Sequence, residues 1–284
     1  MDKTKIGLVL EGGAMRGLFT AGVLDVFLRE RLPFDGAVGV SAGAAFGCNF
    51  KSRQAGRVLR YNLRFSKDWR YHSVRSLLLT GDLYGADFCY RRLPEELDPF
   101  DWAAYEQNPM AFYAVCTNVD TGQAEYFPCC GKTEEIMKVF QASASMPLVS
   151  RAVQIGEKRY LDGGIADSIP LAFSEQAGFA KNVVILTQPR DYRKKSWKGN
   201  RLISLLSRKM PRIAEAMKER PALYNEQKKL VFQREREGRA FVIAPEHPLS
   251  VKRTERDPKK LKEAYESGKI AAEQALDALF QFLS

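Results

Sequence analysis

The stretch Ile6-Gly7-Leu8-Val9-Leu10-Glu11-Gly12-Gly13-Ala14-Met15-Arg16-Gly17 opens on five residues of strand character and breaks at a glycine pair. Behind it Phe19, Val23, Val26 and Phe27 recur at three- and four-residue steps, as on the apolar face of a helix. That helix should end near residues 29–31, ahead of Pro33. A second small strand follows at residues 37–40. Ser41 comes next, and the Ala-rich run 42–46 continues as a helix. Two successive strand-turn-helix units predict parallel strands covered by helices.

Working outward, residues 111–117, 152–155, 158–161, 183–187 and 240–244 read as strands, and 123–127 as a strand entered through the Asp120-Thr121-Gly122 turn. Residues 134–142 read as a helix. So do residues 258–282, where Leu261, Ala264, Tyr265, Gly268, Ala272, Ala275, Leu276 and Leu279 form one stripe. Residues 66–109 differ: they are aromatic, charged and punctuated by Gly81, Gly85, Pro94, Pro99 and Pro109. We read them as a cap-like excursion from the sheet.

With 45% hydrophobic and 27% charged residues in 284, the chain can bury a sizeable core, which excludes a disordered, collagen-like or disulfide-stapled protein. No apolar run approaches the ~20 residues of a membrane span, and residues 1–5 lead into the first strand without the apolar stretch of a signal peptide. Five cysteines without a Cys-x-x-Cys pair, and two histidines, argue against a metal site and for a reducing cytoplasm.

The net charge of +10 is local. Residues 1–189 carry 21 basic and 21 acidic side chains, whereas nine basic residues and one acid lie between Arg190 and Arg212. Such a patch suits phosphate on a membrane surface or a nucleic acid, or simply a solvated face. Tyr192 and Trp197 lie among Arg193, Lys194, Lys195 and Lys198, with Leu202, Ile203, Leu205 and Leu206 following. No RNA-binding motif accompanies them, so an anionic membrane contact at the inner face ranks above nucleic acid.

Three patterns carry chemistry. Gly39-Val40-Ser41-Ala42-Gly43 is Gly-x-Ser-x-Gly between a strand and a helix; a serine on that tight turn needs small neighbours and is presented at a helix N-terminus. The Gly12-Gly13-Ala14-Met15-Arg16-Gly17 loop exposes backbone N–H groups suited to an oxyanion or phosphate. A P-loop would need Lys and Ser or Thr after Gly17, and a dinucleotide fingerprint needs Gly-x-Gly-x-x-Gly, so both nucleotide readings fail. Asp162-Gly163-Gly164 places a carboxylate at a strand's end on a tight turn, a candidate base.

Taken together and in this order, the three patterns resemble the bacterial branch of the patatin-like phospholipases, and Ala142-Ser143-Ala144-Ser145-Met146-Pro147 resembles that family's stretch upstream of its aspartate. The resemblance covers roughly residues 5–190 of a single domain, with 190–284 a basic segment and helical extension. It implies a three-layer α/β/α fold with a mostly parallel central sheet. It also implies hydrolysis of a lipid acyl ester, of phospholipase or lysophospholipase type, without cofactor or metal. By that resemblance Ser41 is the nucleophile, Asp162 the proton acceptor, and the loop Gly12, Gly13, Ala14 and Arg16 the oxyanion hole. Gly17, Gly39, Gly43, Gly163 and Gly164 complete the motifs. One departure is Ala14, where many members have a third glycine; if the position needs φ > 0, alanine is strained there.

Two other readings compete. The order Ser41, Asp162, His247 also satisfies an α/β-hydrolase triad. However, only one strand precedes the one ending at Ser41, and His247 sits between prolines in a polar stretch. The second is a non-catalytic module binding anionic lipid through the basic segment.

Overall fold

The computed structural model describes residues 4–131, 133–195, 206 and 208–284. Strands β1 (Ile6–Leu10), β2 (Gly36–Val40) and β3 (Ala111–Asn118) are followed by β4 (Ala124–Pro128), β5 (Val153–Ile155), β6 (Lys158–Asp162), β7 (Lys181–Ile185) and β8 (Ala240–Ile243). All join one eight-stranded sheet in the order β5-β6-β3-β2-β1-β7-β8, with β4 also on β3. The run β3-β2-β1-β7-β8 is parallel, and the pairings of β4, β5 and β6 are antiparallel. Every residue of β1 and β2 is buried, which is why these strands read as continuous apolar or small runs without alternation.

Helices cover both faces. Leu8 and Leu10 point into a core shared with α1 (Gly17–Arg29), α2 (Ala42–Lys51), α6 (Thr133–Ser143) and the C-terminal α9 (Pro258–Leu283). Val9 and Val184 point the other way, to α7 (Leu171–Gln176) and the long α8 (Pro211–Arg236). The result is a three-layer α/β/α fold. The stripe expected on α9 is the face that packs on α1, with Leu261, Ala264, Tyr265, Gly268, Ala272 and Leu279 buried. The Tyr265 hydroxyl donates to Asp25 at 2.6 Å.

The detail that positions the site lies along one edge of β3. There Val115 pairs with Val40, at the end of β2, and the next residue, Cys116, pairs with Asp162, at the end of β6. β4 occupies the opposite edge. Two strands running toward each other therefore stop end to end on the same partner, so the residue after β2 and the last residue of β6 become neighbours.

Residues 66–109 contribute no strand to the sheet. They form α4 (Val74–Thr80), a π-helix (Phe88–Leu97) and α5 (Trp102–Gln107), next to α3 (Arg57–Phe65), a helix the periodicity did not reveal. Tyr61, Phe65, Tyr71 and Phe88 pack as a second apolar cluster. A buried ion pair, Arg57 to Asp98 at 3.2 Å, ties α3 to the end of the π-helix. The basic segment also departs from a solvated patch. Residues 190–195 lie strapped along α8, where the Lys228 ammonium donates to the carbonyls of Pro189, Arg190 and Tyr192, and Asn225 exchanges hydrogen bonds with the Lys194 backbone. Trp197, Lys198, Leu202, Ile203 and Leu205 lie outside the described residues.

Candidate active site

Ser41 stands between β2 and α2 with φ 54°, a left-handed conformation costly for a side-chain-bearing residue. The turn is tight enough to require the two flanking glycines. A Cβ on Gly39 would lie 2.7 Å from the Ala44 Cα, and one on Gly43 would lie 2.4 Å from the Leu10 carbonyl oxygen. At Gly163 a Cβ would fall 2.1 Å from the Val115 carbonyl, so the turn after Asp162 can press directly onto β3. Gly17 serves a similar close approach, with its Cβ 2.8 Å from that of Ala42.

The end-to-end strands bring the two expected chemical groups together. The Ser41 Oγ donates to Asp162 Oδ2 at 2.6 Å, and the other carboxylate oxygen accepts from the Gly164 N–H at 2.8 Å. Asp162 is 2% exposed. Burial raises its pKa above the ordinary carboxylate value, opposed first by the Arg220 guanidinium and then by the Ser41 and Gly164 hydrogen bonds. Two residues in the stretch 142–147 brace the pair. Ser143 Oγ accepts from the Ser41 N–H at 2.9 Å, and the Ser145 carbonyl accepts from the Asp162 N–H at 2.8 Å.

The glycine loop passes over the serine: a Cβ on Gly12 would stand 3.2 Å from that of Ser41. Gly12, Gly13, Ala14 and Arg16 line the same small recess as Ser41 and Asp162. Among the described residues no acceptor takes the Gly12 or Gly13 N–H. Ala14 has φ 48°, so the position does call for the left-handed conformation, and alanine is held there against its preference. Glu11 is fixed behind the loop, accepting from the Thr187 N–H at 2.5 Å and the Tyr224 hydroxyl at 2.8 Å.

A cavity of about 930 Å³ opens from Ser41 and Asp162. One part is walled by Phe46, Tyr61, Tyr90, Leu93, Met137 and Phe140, from α2, α3, the π-helix and α6. Arg57, Arg193, Lys194, Lys195, Arg220 and Arg253 also line the cavity. Apolar and cationic side chains thus share one cavity with a hydrogen-bonded Ser–Asp pair.

Residues 8–173 match the family model described as patatin-like phospholipase. The chain belongs to the patatin-like phospholipase family. Residues 210–284 match a second model, a domain of unknown function, DUF6363. Over 291 residues the chain is 28% identical to YjjU of Escherichia coli, an uncharacterized protein, covering 99% of this chain and 79% of that one. It is 26% identical over 179 residues to the lysophospholipase nte1 of Emericella nidulans, covering 61% of this chain and 11% of that much longer protein. Among solved structures it is similar to VipD of Legionella pneumophila, with a TM-score of 0.48 and 13% identity, covering 97% of this chain and 67% of that one.

For a patatin-like phospholipase, the placement of the histidines is informative. The His247 side chain is 84% exposed, lies 3.9 Å from Glu246 and lines neither the cavity nor the recess, so the triad alternative gains no geometric support. His72 is buried and stacked on Tyr84, with ring centroids 5.1 Å apart, and burial pushes its pKa down to about 4. It is a neutral core residue.

Sequence reading missed Arg220, Tyr224 and Arg253, and took Lys194 for part of a surface patch. Arg220 precedes Pro221 inside α8, and a helix with an internal proline and weak apolar periodicity gives little to recognise. The Arg220 Nη2 nevertheless comes within 3.2 Å of where a Cβ on Gly164 would be.

Proposed function

We propose that this protein hydrolyses a lipid acyl ester through a Ser41–Asp162 dyad and an acyl-serine intermediate. The observation that carries the reading is the 2.6 Å Ser41–Asp162 hydrogen bond at the mouth of an apolar chamber. Ser41 Oγ attacks the ester carbonyl while its proton passes to Asp162, and the N–H groups of Gly12, Gly13 and Ala14 receive the oxyanion, with Arg16 beside them. Collapse expels the alcohol, which takes the proton from Asp162. A water then attacks the acyl-Ser41 carbonyl and gives its proton to Asp162. The fatty acid leaves and Ser41 regains its hydrogen.

The test is incubation with lysophospholipid, with mass spectrometric detection of free fatty acid, beside labelling by a serine-reactive phosphonate. Fatty acid release and a label that disappears in Ser41→Ala are expected. A folded protein that neither releases fatty acid nor takes label would leave the binding-module reading in its place.

The buried base gives a signed pH dependence. Asp162 works only as the carboxylate, so kcat/KM falls as pH drops through its pKa. Because burial raises that pKa, the acid midpoint should lie above the ordinary 3.8. Arg220 favours the ionised form, so Arg220→Gln should move the midpoint higher still. A midpoint at or below 3.8 in the parent, or a downward shift in the variant, contradicts this account.

The same reading includes peripheral contact with an anionic membrane. Arg193 and Lys195 are exposed at the cavity rim. Val74, Leu78 and Leu79 are exposed on α4, which precedes the cavity-lining Leu83 and Tyr84. Among the described residues no helix is long and apolar enough to cross a membrane. Arg193→Gln with Lys195→Gln should weaken binding to anionic vesicles by about 1 kcal/mol per charge at low salt. Equal binding of parent and variant in vesicle sedimentation counts against it.

A further inference from the structure

The glycine loop and the turn after Asp162 both lean on residues beyond the 8–173 match, and two of those supports share one helix face. Along α8, Tyr224 and Gln227 are three residues apart, the spacing of neighbours on a helix surface. Tyr224 is 2% exposed, and its hydroxyl donates to Glu11 Oε1 at 2.8 Å, at the foot of the glycine loop. One turn on, Gln227 reaches the other loop. Its Oε1 accepts from the Ser168 and Ile169 N–H groups, each at 3.2 Å, and its Nε2 donates to Asp167 at 2.8 Å. Ser168 in turn donates to the Gly164 carbonyl at 2.8 Å, within the turn that carries Asp162.

Peptide geometry converts these holds into a direction. Thr187 Oγ1 donates to the Gly12 carbonyl at 3.2 Å, and the Arg16 N–H donates to the Gly13 carbonyl at 3.2 Å. In a planar trans peptide the carbonyl and the following N–H point opposite ways. Pinning these two carbonyls therefore aims the Gly13 and Ala14 N–H groups away from the pins. The pins hold their direction only while Glu11, the stem of the loop, stays in place. Among the described residues its carboxylate accepts from Thr187 and Tyr224 alone. Removing the Tyr224 hydroxyl leaves a buried carboxylate oxygen without a donor, which the loop can relieve only by shifting.

We infer that Tyr224 is a positioning residue for the oxyanion donors, acting through Glu11, and that Gln227 is one for the Asp162 turn. Both belong to the 210–284 domain of unknown function, which gives that domain a task. α8 is the brace that fixes the oxyanion loop and the base relative to each other, so residues 8–173 do not by themselves hold their two reactive loops. The inference rests on the hydrolase reading and extends it to residues that touch no reacting atom. Burial and the neighbouring Glu11 carboxylate raise the Tyr224 pKa above its ordinary value, so the phenol remains a donor. The oxyanion exists only after attack on the carbonyl, in acylation and in deacylation alike. A loosened loop therefore slows turnover, whichever step limits it, and leaves substrate binding nearly as it was.

The test measures kcat and KM of the full-length protein and its variants on a soluble short-chain nitrophenyl ester, with chemical denaturation of each. Tyr224→Phe should lower kcat at least about tenfold with KM within about twofold, short of the ~10²–10³ that deleting an oxyanion donor costs. Gln227→Leu should lower kcat at least about threefold in the same pattern, and decides the matter by itself if Tyr224→Phe fails to fold. Val231→Ala opens the apolar core beneath the same helix. It should lower the denaturation midpoint and leave kcat unchanged, which separates positioning from mere support of the fold. A folded Tyr224→Phe protein with kcat within about twofold of the parent overturns the proposal. So does a kcat loss in Val231→Ala as large as that in Tyr224→Phe. A parent that turns over no ester takes down the hydrolase reading and this inference with it, whereas an active parent with unaffected variants takes down this inference alone.

Discussion

Ser41→Ala is expected to reduce ester turnover to background, and Asp162→Asn to lower it by roughly 10²–10⁴, the usual worth of a general base. The asparagine is nearly the same size and can still accept from the Gly164 N–H, so the site should keep its shape while losing the carboxylate that accepts from Ser41. Neither histidine should matter in this way. His247→Ala should stay within a few-fold of the parent, because its imidazole is exposed and away from the cavity. A triad predicts the reverse, since residues that act as a unit fail together. Hydrolysis of a soluble short-chain ester by the three variants, with circular dichroism to establish folding, separates the mechanisms. A folded His247→Ala protein slowed a thousandfold would sink the dyad.

The largest expected stability effect lies far from the chemistry, where α1 crosses α9. A Cβ on Gly268 would fall 2.0 Å from the Phe19 carbonyl oxygen, and one on Gly22 would fall 2.0 Å from that of Tyr265. Each helix lays a glycine against the other's backbone, so neither obstacle is a side chain that can swing aside. Gly268→Ala gains nearly 1 kcal/mol of helix propensity. Against this stands overpacking worth about 1–3 kcal/mol or more, because the helices must part by over an ångström. We expect a net loss of about 2 kcal/mol and a fall in Tm of roughly 4–8 °C. Chemical denaturation of the parent and the variant measures it, and an unchanged midpoint would show that the crossing has slack.

The fold was legible where packing leaves a period or a run. The all-buried strands β1 and β2 could only be central parallel strands, and the α9 stripe marked the face that meets α1. Ser41 and Asp162 were legible because a strained turn and a strand end admit few residue types, and Gly39, Gly43 and Gly163 follow from close backbone approach. What escaped depends on contacts between distant segments. Lys194 looks like a surface charge until Asn225 and Lys228 are seen holding its loop against α8. Arg220 is one arginine in a polar helix, and only the position of that helix over Gly164 brings it to Asp162. Ser143 and Ser145 were noticed as part of a motif, yet their task of holding the Ser41 and Asp162 amides is a matter of geometry alone.

The meeting of β2 and β6 on one edge of β3 separates what this molecule must conserve from what it can vary. Ser41 and Asp162 are 121 residues apart in the chain, yet their spacing is set by the register of adjacent ladder positions, at ~3.4 Å per step. Everything between them in sequence that walls the apolar chamber, from α3 through the π-helix to α6, hangs from the sheet without entering that register. The chamber can lengthen, narrow or exchange its aromatic lining by insertion and substitution while the Ser41–Asp162 distance stays the same. A one-residue slip of β6 would instead turn Asp162 to the opposite face of the sheet and silence every version of the chamber at once.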